Sequence, residues 1–390
     1  MKSNYDILGN HIRLIDTRNR ESITDRVLGI NIDKFFMPSV ANVIGTDLSK
    51  YKLITKGKFA CNPMHVGRDE RLPVALYDEE EPAIVSPAYF MFEVIDNSIL
   101  NEDYLMMWFR RPEFDRICWL HTDGSVRGGI TWDDICRLEL PIPPIENQLE
   151  IVNIYKAITE RIALKQKIND NLTAQCCTDY SIMLNGYTTE STEFPENWCI
   201  SSIGGYCDVK SGYAFKSDWW TNTGYKVIKI ANIVDNSIDL DSCDCVSEEN
   251  ANKASNFFVQ SGDILIAMTG ATTGKIGIVP TCDEPIVVNQ RVGKFFLGDT
   301  PIEKAPFLFA TLLYSRVVRH LQPDGTAGSA QDNLSADNIK DIAIVMPPKD
   351  VVDTYNQQHN PHIQTILANC AEIRTLKKLA NVVLQTLSSR

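Results

Sequence analysis

"GSVRGGITWDDICRLELPIPP" (residues 124–144) and "GSAQDNLSADNIKDIAIVMPP" (328–348) align without a gap at an offset of 204. Gly124 meets Gly328, Ser125 meets Ser329, Ile135 meets Ile339, and Pro143-Pro144 meets Pro347-Pro348. Working outward, "IVSPAYFMFEV" (84–94) matches "VVNQRVGKFFL" (287–297) at nearly the same offset. Two matches in one register make the chain a tandem duplication of a unit of about 200 residues.

Each unit has the same grammar. A strand-rich part comes first, seen in "ITKGKFACNPM" and in "VQSGDILIAMTG". Pro-Pro then breaks the chain, and a helical period follows. After Pro144, Ile145, Leu149, Val152, Tyr155, Ile158 and Ile162 recur at spacings of three and four, and Ile168, Leu172 and Cys176 continue the stripe. That is an amphipathic helix of about 35–40 residues, on the order of 55 Å long. After Pro348 the pattern resumes, is interrupted at Pro361, and then runs through Ile363, Ile366, Cys370, Ile373, Leu376, Ala380, Val383 and Leu387. Globular helices rarely run this long, so the two pack most economically on each other, as in a coiled coil. Ile145, Leu149, Val152, Ile158 and Ile162 on one side, with Ile366, Ile373 and Leu387 on the other, are the expected helix–helix interface. Lys165 and Asn169 fall near the seam and should disturb it. The expected boundaries are 1–144 and 186–348 for two strand-rich domains, with helices at 145–185 and 349–390.

The stretch "GDILIAMTGATTGKIGIV" (262–279) has the glycines, hydroxyls and lysine of a phosphate cradle. A P-loop needs four residues between its glycines and a Ser or Thr after the lysine. Here three residues separate Gly270 from Gly274, and Ile276 follows Lys275. The β-branched run after the lysine reads as a strand, not as the helix that phosphate binding uses. The stretch is strand, tight polar loop, strand.

Other chemistry is thin. The Asn/Asp-Pro-Pro-Tyr/Phe tetrad of adenine methyltransferases is missing, since Asn62-Pro63 runs on into Met64-His65. Pro323-Asp324 sits in a turn sequence with no Glu-x-Lys after it, and no glycine-rich cofactor loop occurs. The eleven cysteines include no Cys-x-x-Cys, and the six histidines form no His-Glu-x-x-His. No disulfide framework, zinc or other metal is therefore expected, and the thiols read as reduced, in a cytoplasmic protein. No apolar run is long enough to span a membrane. The net charge is −12. Lysine and arginine number 17 against 22 acids in residues 1–144, and 12 against 20 in 186–348. Neither half is basic overall, so any nucleic-acid contact must come from a local patch or a partner.

Taken in order, these landmarks resemble a type I restriction–modification specificity subunit over nearly the whole chain. "LPIPPIENQLEIVNIYKAITERIALKQKINDNL" (140–172) is similar to that family's central region. "FPENWCISSIGGYCDVKSGYAFKSDWW" (194–220), "GYKVIKIANI" (224–233), "GDILIAMTGATTGKIGIV", "VNQRV" and "GSAQDNLS" resemble successive landmarks of its target recognition domains. The first unit is more divergent and lacks the Gly-Ala-Thr-x-Gly loop.

The resemblance implies an α+β fold. Two pseudo-repeated, strand-rich target recognition domains are separated by two long antiparallel helices that form a rod. It implies a non-catalytic subunit whose domains each read half of a bipartite asymmetric site in double-stranded DNA. Two methyltransferase subunits would bind the helices and carry S-adenosylmethionine; motor–nuclease restriction subunits would bring ATP and Mg. No cofactor is expected in this chain.

Candidate DNA contacts are Thr269, Thr272, Thr273 and Lys275 on the glycine loop, where backbone and hydroxyls can approach a nucleic acid. Tyr213 and Lys216, beside Phe215, form an aromatic–basic stretch, with core packing as the other reading. Gln290 and Arg291 carry base-reading groups, though a strand setting would bury them. Arg127 and Gln331, with Ser125 and Ser329, lie at the duplicated unit ends. Two other classes stay open: a restriction or modification enzyme fragment with its catalytic part elsewhere, and a protein-interaction scaffold without a DNA role.

Overall fold

The structure is a computed structural model that describes residues 5–40, 43, 45–64, 66–122, 128–322 and 333–387. The chain divides into two compact units: residues 1–160 with 377–390, and residues 161–376.

The first unit holds two four-stranded sheets. One is ordered Ile12–Leu14, Phe90–Val94, Phe59–Cys61, Val74–Leu76; the other Phe36–Pro38, Val27–Ile30, Ala83–Val85, Lys52–Ile54. Leu28, Ile54, Ala83 and Val85 of one sheet pack with Ala60 and Met91 of the other in an apolar core. At the alternate positions Phe59 stacks on Phe92 at 5.0 Å, with both rings meeting the edge of Phe109. A buried ammonium, Lys34, lies 2.8 Å from the Asp115 carboxylate and also donates to the Phe109 carbonyl. Asp115 accepts from the Leu72 N–H as well (3.0 Å), so the burial of both charges is compensated.

The second unit repeats this plan with additions. A six-stranded sheet runs Asp208–Ser211, Val292–Phe296, Ile264–Ala267, Ile276–Ile278, Ser237–Ile238, Ile233–Val234. A five-stranded sheet runs Trp220–Thr221, Asp244–Val246, Tyr225–Ile228, Ile286–Val288, Phe258–Val259. The shared signature is a parallel pair flanked by antiparallel strands: Val27–Ile30 beside Ala83–Val85, and Tyr225–Ile228 beside Ile286–Val288. The sequence "GDILIAMTGATTGKIGIV" folds as read, with Ile264–Ala267 and Ile276–Ile278 antiparallel.

Where both copies of the duplicated segment are described, they share the same helix cap. Thr131 and Asp134 form a capping box on helix Trp132–Cys136, and Ser335 and Asn338 form the same box on Ala336–Lys340. Each short helix leads to a strand that closes on the first strand of its own unit: Glu139–Pro141 on Tyr5–Ile7, and Ala343–Met346 on Cys199–Ser202.

After each Pro-Pro comes one long helix, Ile145–Leu184 (40 residues) and Lys349–Thr386 (38 residues). The second helix runs through Pro361 rather than breaking there. Proline removes one N–H and strains one turn, which neighbouring packing can absorb; Ile363, Ile366 and Leu367 around it sit in the unit's core. Within the second unit the helices run antiparallel. Arg161 donates to Glu372 (2.7 Å), Lys165 to the Asn369 side chain (2.9 Å), and Tyr355 to the Cys176 carbonyl (2.7 Å). The seam near Lys165 and Asn169 is polar yet satisfied, since the Asn369 amide also donates to Asn169 (2.8 Å).

The expected interface needs one correction. Val152 and Ile158 on the first helix, and Ile366, Ile373 and Leu387 on the second, are buried; Ile145 and Ile162 are half-buried. Leu149, however, is 42% exposed. The buried position in that turn is Gln148, which accepts from the Asn101 N–H (2.9 Å) and donates to the Ile99 and Pro143 carbonyls (2.8 Å each). A side chain that ties three loop backbone groups takes the inward place that hydrophobic periodicity gave to its neighbour. Among the described residues no helix is long and apolar enough to cross a membrane.

Candidate nucleic-acid interface

Three of the segments singled out in the sequence meet in the second unit, and backbone bonds hold them together. The Met268 N–H donates to the Arg291 carbonyl (2.9 Å), the Gln290 N–H to Tyr213 (2.9 Å), and the Tyr213 N–H to Val288 (2.9 Å). Gly212 makes the last crossing possible: a Cβ there would lie 2.4 Å from the Val288 carbonyl oxygen.

The glycine loop turns tightly because Gly270 and Gly274 take φ of +81° and +80°, a region open to glycine and strained for most residues. Gly274 also packs against the chain after helix Ser315–Leu321, where a Cβ would meet the Leu321 carbonyl oxygen at 2.3 Å. The Lys275 side chain is exposed, while Thr269, Thr272 and Thr273 are half-buried. The Thr273 hydroxyl folds back to donate to the Gly270 carbonyl (2.7 Å), so it serves the turn first. The Thr272 hydroxyl is buried without a protein partner.

Gln290 and Arg291 are not on a strand. They form the exposed turn between Ile286–Val288 and Val292–Phe296, where Asn289 accepts from the Arg291 N–H (3.2 Å). Both side chains are thus free of the core that a strand setting would have given them.

The aromatic stretch divides. Phe215 is buried and packs edge-on to Tyr213 at 5.2 Å, so the core reading holds for it. Tyr213 is half-buried and parallel to Trp219 at 6.3 Å, while Lys216 is exposed with its ammonium 5.4 Å from the Trp219 ring. Sequence reasoning missed how many cations gather here. Lys253 sits 4.7 Å from Trp219, and Lys229 3.7 Å from Trp220. Both also pair with acids, Glu249 and Asp244. The Trp219-Trp220 pair flanked by spaced lysines was the available signal. Such rings and ammonium groups attract one another and form a surface suited to a polyanion with planar bases. Arg127 and Gln331, with Ser125 and Ser329, lie outside the described residues.

In the first unit the equivalent hairpin joins Phe59–Cys61 to Val74–Leu76 through residues 62–73, which include the short helix Val66–Asp69. Its arginines are engaged: the exposed Arg68 with Asp69, and the half-buried Arg71 with Asp33.

Comparison with known proteins gives the family. Residues 73–174 and 195–383 each match the type I restriction modification DNA specificity domain. The specificity subunit of the type I restriction enzyme MjaVIII of Methanocaldococcus jannaschii is 29% identical over 188 residues, 45% of this chain and 44% of that protein. The match therefore spans less than half the length of that relative. The HindI specificity subunit of Haemophilus influenzae is 19% identical over 91% of both chains. In fold, the chain is similar to a type I restriction–modification S subunit from M. genitalium, with a TM-score of 0.56 and 14% identity over 100% of this chain and 97% of that one. With the family's domain matched twice, over most of its length, the chain belongs to the type I restriction–modification DNA specificity family.

Proposed function

We propose that this chain is the non-catalytic DNA-specificity subunit of a type I restriction–modification complex. It recognises a bipartite, asymmetric site in double-stranded DNA, with one half read by residues 1–144 and the other by 186–348. The observation that carries the reading is that main-chain bonds join three segments: Tyr213 beside Lys216, Met268 at the start of the glycine loop, and Gln290-Arg291. Lysines there meet phosphate, while Gln and Arg offer the paired hydrogen bonds that distinguish adenine and guanine edges.

The long helices carry the partners. Leu164 and Ile182 are 60% and 68% exposed, two separate apolar side chains on a helix that buries others of its stripe. Two methyltransferase subunits dock there and supply S-adenosylmethionine; restriction subunits, where present, supply ATP-driven cleavage with Mg. The acidic balance of the chain fits a clamp whose positive charge comes mainly from those partners.

The test is the host methylome with and without this gene. Loss of one bipartite adenine-methylation motif on deletion is expected, with its return on complementation. An unchanged methylome in a strain that expresses the intact complex would overturn the reading, as would methyl transfer by the purified chain alone.

A further inference from the structure

Cys176 on the first long helix faces His359 and His362 on the second. Its Sγ lies 3.5 Å from Nδ1 of His359 and 3.8 Å from Nδ1 of His362, and the two Nδ1 atoms are 3.0 Å apart. For tetrahedral zinc, bond lengths of about 2.3 Å to sulfur and about 2.05 Å to nitrogen place those donors about 3.6 Å (S to N) and about 3.3 Å (N to N) apart. The three side chains thus already span one face of such a tetrahedron. Among the described residues they are the group of three ligating side chains whose donor atoms converge in this way.

We infer that Cys176, His359 and His362 form a zinc site that clamps the two long helices, with the fourth position left for water. His359 and His362 are three apart on one helix and so share a face. The outer shell is also in place. Nε2 of His359, buried and without a hydrogen bond, lies 3.4 Å from the Asp179 carboxylate, one turn from Cys176. A carboxylate behind the far nitrogen of a ligating histidine fixes the ring and raises its basicity. Tyr355 sets both sides: its ring lies 4.4 Å from that of His359, and its hydroxyl holds the Cys176 carbonyl. His362 is half-exposed and gives the ion a way in.

Zinc displaces the Cys176 thiol proton to solvent as the Zn–S bond forms, so binding weakens as pH falls. The rival arrangement is a metal-free one, in which a single proton is shared between the two Nδ1 atoms.

The sequence spacing gave no metal site because the cysteine lies 183 residues from the first histidine. The pair His359-x-x-His362 on an amphipathic helix was the legible half.

The test uses the full chain, purified with zinc and freed of loose metal. One zinc per chain is expected by elemental analysis, falling at least tenfold in Cys176→Ser and in His362→Ala. Cobalt(II) in place of zinc should give tetrahedral visible bands and a thiolate charge-transfer band, the latter lost in Cys176→Ser. Should that variant fail to fold, the half-exposed His362→Ala and the cobalt spectrum of the natural chain decide. A folded natural chain that retains no zinc and shows no cobalt–thiolate band would overturn the inference. Equal zinc retention in folded variants would overturn it too.

Discussion

Both repeats anchor the start of the same hairpin loop by the same bond. The Ile130 N–H donates to the Pro63 carbonyl (3.1 Å) in the first, and the Leu334 N–H to Met268 (2.9 Å) in the second. What they build on that anchor differs. The second repeat crosses between Ala267 and Ile276 on two left-handed glycines and leaves Lys275 exposed. The first spends residues 62–73 and a helical turn, and engages Arg68 and Arg71 with acids. The frame is duplicated and the tip is not. Loops set on a rigid scaffold are where binding specificity can change without cost to the fold.

The buried charges are the harshest way to probe that frame. Asp115→Ala strands Lys34 in the first unit, and Asp263→Ala strands Lys294, 2.8 Å from it, in the second. Each should lose about 3–5 kcal/mol, read as faster hydrogen exchange confined to its own unit. Equal loss in both units from either change would show that they do not unfold separately. Burial outweighs the Lys294 ammonium and raises the Asp263 carboxyl above its ordinary 3.8. Between the unfolded and folded values the native state then binds more protons, so this group's contribution falls as pH rises through that window. Asp263→Asn should flatten that slope in an acid stability titration.

Gly274→Ala comes next. The left-handed conformation costs a non-glycine residue about 1–2 kcal/mol, and the close Leu321 carbonyl adds to it. Gly57→Ala in the first unit, at φ +80° with only the Glu102 side chain near (3.6 Å), should show the conformational part alone. Urea midpoints of the two variants give the difference; equal losses would remove the packing role of Gly274.

On DNA the asymmetry should be sharper than in stability. Lys275→Ala is expected to weaken binding by the assembled complex by about 1–3 kcal/mol if it meets a base edge, or to lower the salt slope by about 1 if it meets a phosphate. Arg68→Ala, already paired with Asp69, should change less. Adding Thr273→Ala should loosen the loop, because its hydroxyl is used within the turn. Affinity unchanged in a folded Lys275→Ala would take the loop out of the interface. The smallest expected difference is between the caps: Thr131→Ala and Ser335→Ala should each cost about 1 kcal/mol, alike in both repeats. Unequal losses in thermal melts would mean the duplicated boxes have drifted apart in use.

The duplication, the two long helices and the strand–loop–strand hairpin were legible because each rests on a repeated local signal. Where the reading slipped, the deciding fact was the partner. Periodicity cannot tell that Gln148, not Leu149, faces the Asn101 loop, nor that Gln290 and Arg291 turn outward at the end of a buried strand. Pro361 looked like a break because its cost is local, whereas the packing that offsets it comes from distant residues such as Ile203 and Leu308. The Cys176–His359–His362 cluster was hidden for the same reason: it exists only once two helices pair.

One hydrogen bond in the helix pair has a genetic meaning. Lys165 and Asn369 are 204 residues apart, the offset of the duplication itself, so each position faces its own copy. In a pair of identical helices one residue would have to tolerate itself there; lysine would repel lysine at close range. A single fused chain lifts that restriction. The two copies can be inherited separately, one as a donor ammonium and the other as an acceptor amide. Joining two equal halves in one reading frame thus lets their shared centre become unequal.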